Sequence, residues 1–537
     1  MKMFNRQLII TAMSLSLLAS CSDNHSESAK DVKAKKPVRV EEKSVVKVDL
    51  LIINGDVYSG DTTKAQQLDI AICGQTICGL YPRGQQVNAE KIIDVKGKIV
   101  SPGFIDPHTH SLAELLSKDK NHNLNYLTQG VTTVVNGNDG GGPVNIKATA
   151  KKLMANGIGT NVALLVGHGS LREQVMGRAQ RYSTEEELSQ MTTLLDTAMD
   201  AGALGLSTGL YYVPGSYANT EEVVALAKIA SQHGGIYDTH LRDESTFNIG
   251  FTAALDEAIN IAKQANIHLH LAHIKALGVD VWGQSNAAIS KIEQAQQQGV
   301  SISADQYPWL ASGTKLRSAV MPKWVMADSK QAFFQRLNQA GLTKKLNAEI
   351  LENIRRRGGP DSLYITEFKE VSLVGLNLLQ VSELKGLSVV DTAKQMVQQG
   401  DVRVASFNMS PEDVANFMVQ PWVMTSSDGT NGHPRKYASF PRKYQTYVVD
   451  KKLLSMADFI NRSSYQTAKI LGLKDRGLLK EDFKADVIVF DPKRFAPKAD
   501  FSQWNKYSVG VEQVFINGTQ VIEDEEYLNS LAGNFVH

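Results

Sequence analysis

Apolar residues along the chain follow two rhythms that take turns. Short runs rich in Val, Ile and Leu, such as NVALLVG, IHLHLA and VSISADQ, give way to longer stretches in which apolar residues recur at three- and four-residue steps. The second rhythm is clearest in EEELSQMTTLLDTAMDAG, EEVVALAKIASQHGG, TAALDEAINIAKQAN and NAAISKIEQAQQQG. The short runs read as buried strands and the long ones as amphipathic helices. Alternation of the two argues for parallel βαβ units. Eight β-runs can be counted, from KIVSPGFIDPHTH to PWVMTSSDG. Eight units predict a (β/α)8 TIM-like barrel, an α/β fold whose chemistry sits at the C-terminal ends of the strands.

Those ends carry polar residues suited to chemistry. The runs close on His108-Thr109-His110, Asp139, His168, Tyr212, His240, His273 with Lys275, Asp305 with Tyr307, and Asp428. Residues two apart on a strand share a face, so His108 and His110 offer two imidazoles to one point. Neutral imidazole is a common ligand for zinc and similar divalent metals. His270 precedes His273 by three positions, which turns the two to opposite strand faces, and His268 reads as packing or solvated. His168 reads as a neighbour of the site rather than a ligand, and His433 as a residue that orients its loop.

GFIDPHTH, the strand-end His240 and His273, and TSSDG together resemble the amidohydrolase superfamily. The segments QGVTTVVNGNDG, GALGLSTGLYYVPGSYA, THLRDE, AHIK, DQYPW and HPRKYASFPR are similar to its N-acyl-D-amino-acid deacylase (D-aminoacylase) branch, as are LGLKDRGLLKEDFKADVIVFDP and VEQVFINGTQV. The likeness runs from about Asp49 to the end of the chain, and the order of the motifs carries it.

The resemblance implies a metal site. His108 and His110 would hold one position, completed by Asp428, and His240 and His273 a second. Where the branch often has Asn-Cys-Gly with a bridging thiolate, this chain has Asn138-Asp139-Gly140, so Asp139 becomes the expected bridge. One or two Zn2+ ions are expected. The harder carboxylate in place of a thiolate widens the preference toward Mn2+ or Co2+. A metal of this kind lowers the pKa of its bound water toward ~7 and polarises a carbonyl. Asp428 would then carry the proton from the nucleophile to the departing amine. Arg435, Lys275, Tyr212 and Tyr307 are the expected contacts for the free carboxylate of an N-acyl amino acid. The branch often carries YPY-TAGST where this chain has YPWLASGT, so Ser312 or Thr314 is the candidate for the serine contact there.

The expected activity is metal-dependent hydrolysis of N-acyl-D-amino acids. Two alternatives stand beside it: hydrolysis of a cyclic amide or unusual dipeptide, and a lipoprotein that binds amides without turning them over. Cyclic-amide enzymes of the superfamily generally use a bridging Lys, and no Lys stands at a suitable end in the second unit.

Strand-like segments at both ends, about 48–100 and 475–537, flank the barrel region 101–474, and the resemblance implies that they join as one small β-sandwich. The stretch at about 315–400 is too long for a barrel loop and reads as an insertion over the active-site mouth. Residues 1–20 have the form of a signal peptide, with Lys2 and Arg6 ahead of a short apolar core. Leu18-Ala19-Ser20-Cys21 looks like a lipobox, with Cys21 as the lipidated residue. Ser22 points to the outer membrane of a Gram-negative-type bacterium, with the enzyme facing the periplasm. Residues 21–47 are too polar to fold and would serve as a tether. The net charge of +1, from 57 basic and 56 acidic residues, offers no nucleic-acid-binding face. Cys73 and Cys78 lie in the hairpin DIAICGQTICGL and are expected to remain thiols, since its register does not clearly oppose them.

Overall fold

Parallel strands need a long return path, and in this chain the amphipathic helices supply it. The computed structural model describes residues 47–537. The signal peptide, Cys21 and nearly all of the tether lie outside the described residues. The barrel strands are β1 Phe104–Thr109, β2 Val131–Asn136, β3 Asn161–Leu164, β4 Gly205–Gly209, β5 Ile236–His240, β6 His268–Leu271, β7 Ile302–Gln306 and β8 Val423–Thr425. They pair in parallel and in sequence order. The short continuation of β3, Val166–Gly167, pairs with β4 through Val166 and Leu206. A parallel bridge from Thr109 to Gly429 joins the ends of β1 and β8 and closes the ring. The strands are buried throughout, as a barrel sheathed in helices requires.

The helices follow their stripes. Glu185–Asp200 begins with a capping box, Thr184 and Glu187 each accepting the other's backbone N–H. It buries Met191, Leu195, Ala198 and Met199, residues at helical spacing. Phe251–Ala265 buries Leu255, Ala258, Ile259 and Ala262 in the same way. Among the described residues, no helix is long and apolar enough to cross a membrane.

Both chain ends build the β domain. Its four-stranded sheet runs Thr76–Pro82, Leu68–Cys73, Lys47–Ile53, Asn88–Asp94. A six-stranded sheet places Ile99–Pro102 beside Val487–Phe490, with Val100 opposite Val489. Ile52, Ile70, Val487 and Phe515 share the core between the sheets. Phe104 of β1 stacks on Phe440 at 5.4 Å, meets Phe459 edge-on at 5.3 Å and contacts Phe490 of the β domain at 6.4 Å, which ties the barrel to its neighbour.

The cysteines correct one expectation: Cys73 and Cys78 form a disulfide, with Cα atoms 5.6 Å apart. The physical reason is a bulge. Ile72 pairs with Ile77 and Ala71 with Gly79, so Cys78 is the extra residue of its strand and turns across the hairpin toward Cys73.

Between β7 and β8 the chain leaves the barrel and forms a subdomain of its own. Ala311–Lys315, Leu363–Glu367 and Arg403–Phe407 make a three-stranded antiparallel sheet with the last strand in the middle. Helices including Thr343–Arg356 and Val389–Gln399 pack on it around Leu346, Ile350, Met396 and Val404. The start of this sheet, at Ser312 to Lys315, forms part of the wall of the cavity over the barrel mouth.

Candidate metal centre

The site begins with a buried carboxylate that locks two strand ends together. One oxygen of Asp106 accepts the backbone N–H of His108 and that of Ser427, both at 3.1 Å. The N–H of Asp428 donates to the His108 carbonyl at 2.9 Å. Strands β1 and β8 thus deliver His108, His110 and Asp428 to one place. Burial pushes the Asp106 carboxyl up to about 7.

Asp139 arrives from the turn after β2. Gly137 in that turn has φ 102°, and a Cβ there would stand 2.3 Å from the Leu165 carbonyl oxygen, so the turn requires glycine. Asp139 Oδ1 lies 3.5 Å from His108 Nε2, 3.6 Å from His240 Nδ1 and 3.3 Å from His273 Nε2. Its Oδ2 lies 3.5 Å from His110 Nε2. His110 Nε2 is also 3.2 Å from Asp428 Oδ1, and the facing nitrogens of His240 and His273 are 2.8 Å apart. Two ligand groups result, one of His108, His110, Asp139 and Asp428, the other of Asp139, His240 and His273. Asp139 belongs to both.

These separations test whether a metal fits. Tetrahedral N and O ligands about 2.0–2.1 Å from zinc lie about 3.3 Å from one another. The measured 2.8–3.7 Å spread brackets that edge. The buried His108 Nε2 and Asp139 Oδ1 have no hydrogen-bond partner among the described residues, as expected of atoms that serve a cation. The residues present fit a divalent ion at each group. Asp139, His273 and Asp428 also hold left-handed backbone, at φ 59°, 35° and 46°. This conformation costs an ordinary residue about 1–2 kcal/mol and less for Asp and His, which enter it more readily.

Supporting groups set the charges. Burial opposes ionisation of Asp139, yet His108 and His273 hold its carboxyl well below the usual carboxylate range. Burial and Lys275 disfavour the charged form of His273, but Asp139, Glu244 and Asp428 outweigh them and raise it to about 9. Burial lowers His240. Glu244 lies 3.2 Å from His273 Nδ1, and Asp305 lies 3.6 Å from His108 Nδ1. Each stands behind an imidazole whose other nitrogen faces the metal position, and its negative charge raises the basicity of that ring. A third cluster, Asp238, His270 and Asp305, lies among the buried residues. There both His270 nitrogens are satisfied, by Ser303 Oγ at 2.8 Å and Asp305 at 3.0 Å, so His270 needs no ion.

The expected substrate contacts divide. Tyr212 lines the cavity, its ring 4.7 Å from that of His240. Lys275 also lines it, but its ammonium donates to Glu244 at 2.6 Å, to the His273 carbonyl at 2.9 Å and faces His273 Nδ1 at 2.7 Å. Arg435 reaches the cavity while paired with Asp428 at 2.7 Å. Tyr307 lies beneath the Arg435 guanidinium, 4.7 Å from ring centre to Cζ, outside the cavity wall. Ser312 and Thr314 both line the cavity. His168 is held by Glu222 at 2.7 Å. His433 accepts the Arg435 N–H at 3.1 Å, and its other nitrogen meets the Ala311 carbonyl at 3.0 Å.

Sequence reasoning passed over Glu244, the role of Asp305, Tyr211, Arg357 and Arg403. Glu244 stands four residues after His240 within THLRDE, a position that pointed to it. Arg357 and Arg403 carried no local signal, because the subdomain brings them to the mouth. The cavity holds about 230 Å³, room for one small organic molecule, with the ligand groups on one side and the subdomain on the other.

Residues 91–331 and 350–521 match two models described as amidohydrolase family. The D-aminoacylase of Alcaligenes xylosoxydans xylosoxydans is 30% identical over 90% of this chain and 96% of its own length. A D-aminoacylase structure described for its binuclear metal centre superposes with TM-score 0.78 at 28% identity, covering 91% of this chain and all of the other. The N-acyl-D-glutamate deacylase of Bordetella bronchiseptica, solved with zinc and a phosphonate mimic of the tetrahedral intermediate, also gives 0.78, at 27% identity over 91% of this chain and 100% of that one.

Proposed function

From membership of this chain in the D-aminoacylase branch of the amidohydrolase family, we propose that it hydrolyses the amide of N-acyl-D-amino acids, giving a carboxylate and a free D-amino acid. Zinc is the proposed metal. The observation that carries the reading is the position of Asp139, within 3.3–3.6 Å of four imidazoles from β1, β5 and β6 and their ends.

His108, His110, Asp139 and Asp428 would hold one ion, and Asp139, His240 and His273 another. A divalent cation there supplies an activated water and polarises the acyl carbonyl. The residues do the rest. Burial opposes the charge on Asp428, but Arg435 and His273 hold its carboxyl well below the usual carboxylate range, so it is an anion at neutral pH, and its Oδ1 on the metal-group side is placed to take the proton of an attacking water that the metal makes more acidic. Passing that proton on to the departing nitrogen would return Asp428 to its anionic state. The charges of Glu244 and Asp305 raise the basicity of His273 and His108. Tyr212 and the subdomain wall line the mouth, and displacement of water there by a bound substrate would strengthen each charge interaction inside.

The test is turnover of purified, metal-analysed protein on paired N-acetyl-D- and N-acetyl-L-amino acids. Hydrolysis of the D series alone, lost on chelation and regained with zinc, is expected. Turnover of cyclic amides but of neither linear series would sink the reading.

We further propose that the mature chain is anchored through lipid on Cys21 and faces the periplasm from the outer membrane. The sequence around Leu18-Ala19-Ser20-Cys21 and the polar tether after it support this.

A further inference from the structure

Arg357 is 3% exposed and lies on the subdomain side of the cavity. Its Nε donates to the Ala319 carbonyl at 2.9 Å, Nη1 to the Asn408 amide oxygen at 3.1 Å and to Ser406 Oγ at 3.4 Å, and Nη2 to Tyr211 OH at 3.4 Å. The guanidinium stacks 5.3 Å from the Phe247 ring centre. Every one of these partners is neutral, and among the described residues it forms no ion pair. The carboxylate of this region, Asp243, instead accepts the backbone N–H groups of Ser245, Asn248 and Gly250. The other two arginines of the cavity differ: Arg435 is paired with Asp428, and Arg403 lies 3.7 Å from Glu367.

A buried guanidinium with only neutral partners carries the desolvation cost of a charge without a counter-charge. Nε and Nη1 hold the guanidinium in place, while Nη2, with only the long 3.4 Å contact to Tyr211, is left to bind a carboxylate, for which a guanidinium is a matched donor. Its place decides which carboxylate. Tyr211 separates Arg357 from the metal group, its hydroxyl on Arg357 and its ring 5.6 Å from that of His240. An α-carboxylate sits two bonds from the scissile nitrogen and belongs close to the metal group, beside Arg435. Arg357 lies one tyrosine ring farther out.

We propose that Arg357 is a specificity-determining residue that binds a second carboxylate on the substrate, so that the preferred N-acyl-D-amino acids are dicarboxylates. This rests on the deacylase reading above. The second carboxylate can come from the amino-acid side chain or from a dicarboxylic acyl group; both present the same chemistry to the guanidinium.

Two isosteric comparisons on the zinc-loaded protein test it. One sets N-acetyl-D-glutamate against N-acetyl-D-glutamine, the other N-succinyl-D-leucine against N-succinamoyl-D-leucine. The wild type should favour the charged member of one pair by tenfold or more in kcat/KM, and the favoured pair names the source. Arg357→Met should collapse that ratio toward one, mainly through KM, and Arg357→Lys should keep part of it. Ratios near one in both pairs for the wild type overturn the assignment, and this measurement needs no variant to fold. A ratio that Arg357→Met leaves intact overturns it as well. So does a loss shared equally by charged and neutral members but absent for N-acyl amines, since Arg357 would then hold the α-carboxylate. Hydrolysis of neutral N-acyl-D-amino acids with no charge preference defeats the Arg357 assignment alone. No hydrolysis of any member defeats the deacylase reading beneath it.

Discussion

Arg435 and Asp428 form an ion pair at the barrel mouth, Nη1 to Oδ2 at 2.7 Å, with side chains only 2% and 7% exposed. The other oxygen of Asp428 faces His110 Nε2 at 3.2 Å. One carboxylate therefore looks toward the metal group and toward a cation at once. The sequence assigned these two residues separate tasks, proton transfer and carboxylate binding, and their pairing makes the tasks interdependent.

Asp428→Asn should keep the fold and the metal group of His240 and His273, because Asn also tolerates the left-handed backbone that Asp428 adopts at φ 46°. The amide cannot accept the proton, so kcat should fall by roughly 10²–10⁴. Near-native kcat with normal metal content would remove Asp428 from the proton path.

Arg435→Met should act on both parameters. Asp428 loses the partner that fixes its second oxygen in place, so kcat should drop by roughly tenfold or more on every substrate, N-acyl amines included. The rise in KM should appear only with substrates that carry an α-carboxylate. A pure KM effect would show that the ion pair is without consequence for catalysis.

Asp139→Ala should lower bound metal and activity together, since both ligand groups use this carboxylate. It should also cost about 1–2 kcal/mol in stability, because Ala must hold the left-handed backbone. Asp139→Asn separates these effects: stability near wild type, metal reduced. Asp139→Cys should restore part of the metal. Full metal content in the Ala variant, measured by elemental analysis, would rule out the bridge.

Glu222 offers a pH test away from the metal. It binds His168 at 2.7 Å, Arg172 at 2.6 Å and Ser183 at 2.7 Å. Burial opposes its charge, but His168 and Arg172 bring its carboxyl down to about 2. A folded pKa below the unfolded value of ~4.3 gives stability that is present above the unfolded value and lost as pH falls through the folded one. Glu222→Gln should therefore destabilise by roughly 1–3 kcal/mol at neutral pH, and its gap in Tm from wild type should close between about pH 4 and pH 2. A gap that stays constant down to the acid limit would show that packing rather than charge is responsible.

Cys21→Ser should release the protein from the membrane fraction or block its processing. Unchanged detergent-dependent partitioning of the variant would end the lipid-anchor proposal.

Periodicity along the chain was enough to determine the barrel. Short apolar runs report buried strands, and steps of three to four residues report which side of a helix faces apolar neighbours; both are local properties that survive without any partner in view. The strand-end positions of His108, His110, Asp139, His240, His273 and Asp428 were legible for the same reason, since a barrel turns all its strand ends toward one mouth. Partner choice was not legible. Lys275 goes to Glu244, 31 residues away, and Arg435 to Asp428, because strand register and loop path set which charges meet. Spacing turned His270 to the strand face opposite His273 but could not show its partners, Ser303 and Asp305, which the register of β6 on β7 sets against it. The disulfide depended on one bulge, which a pattern of alternating residues does not reveal. Arg357 reached the cavity only through a subdomain folded around its own core, so the charge on the far wall was decided by tertiary structure alone.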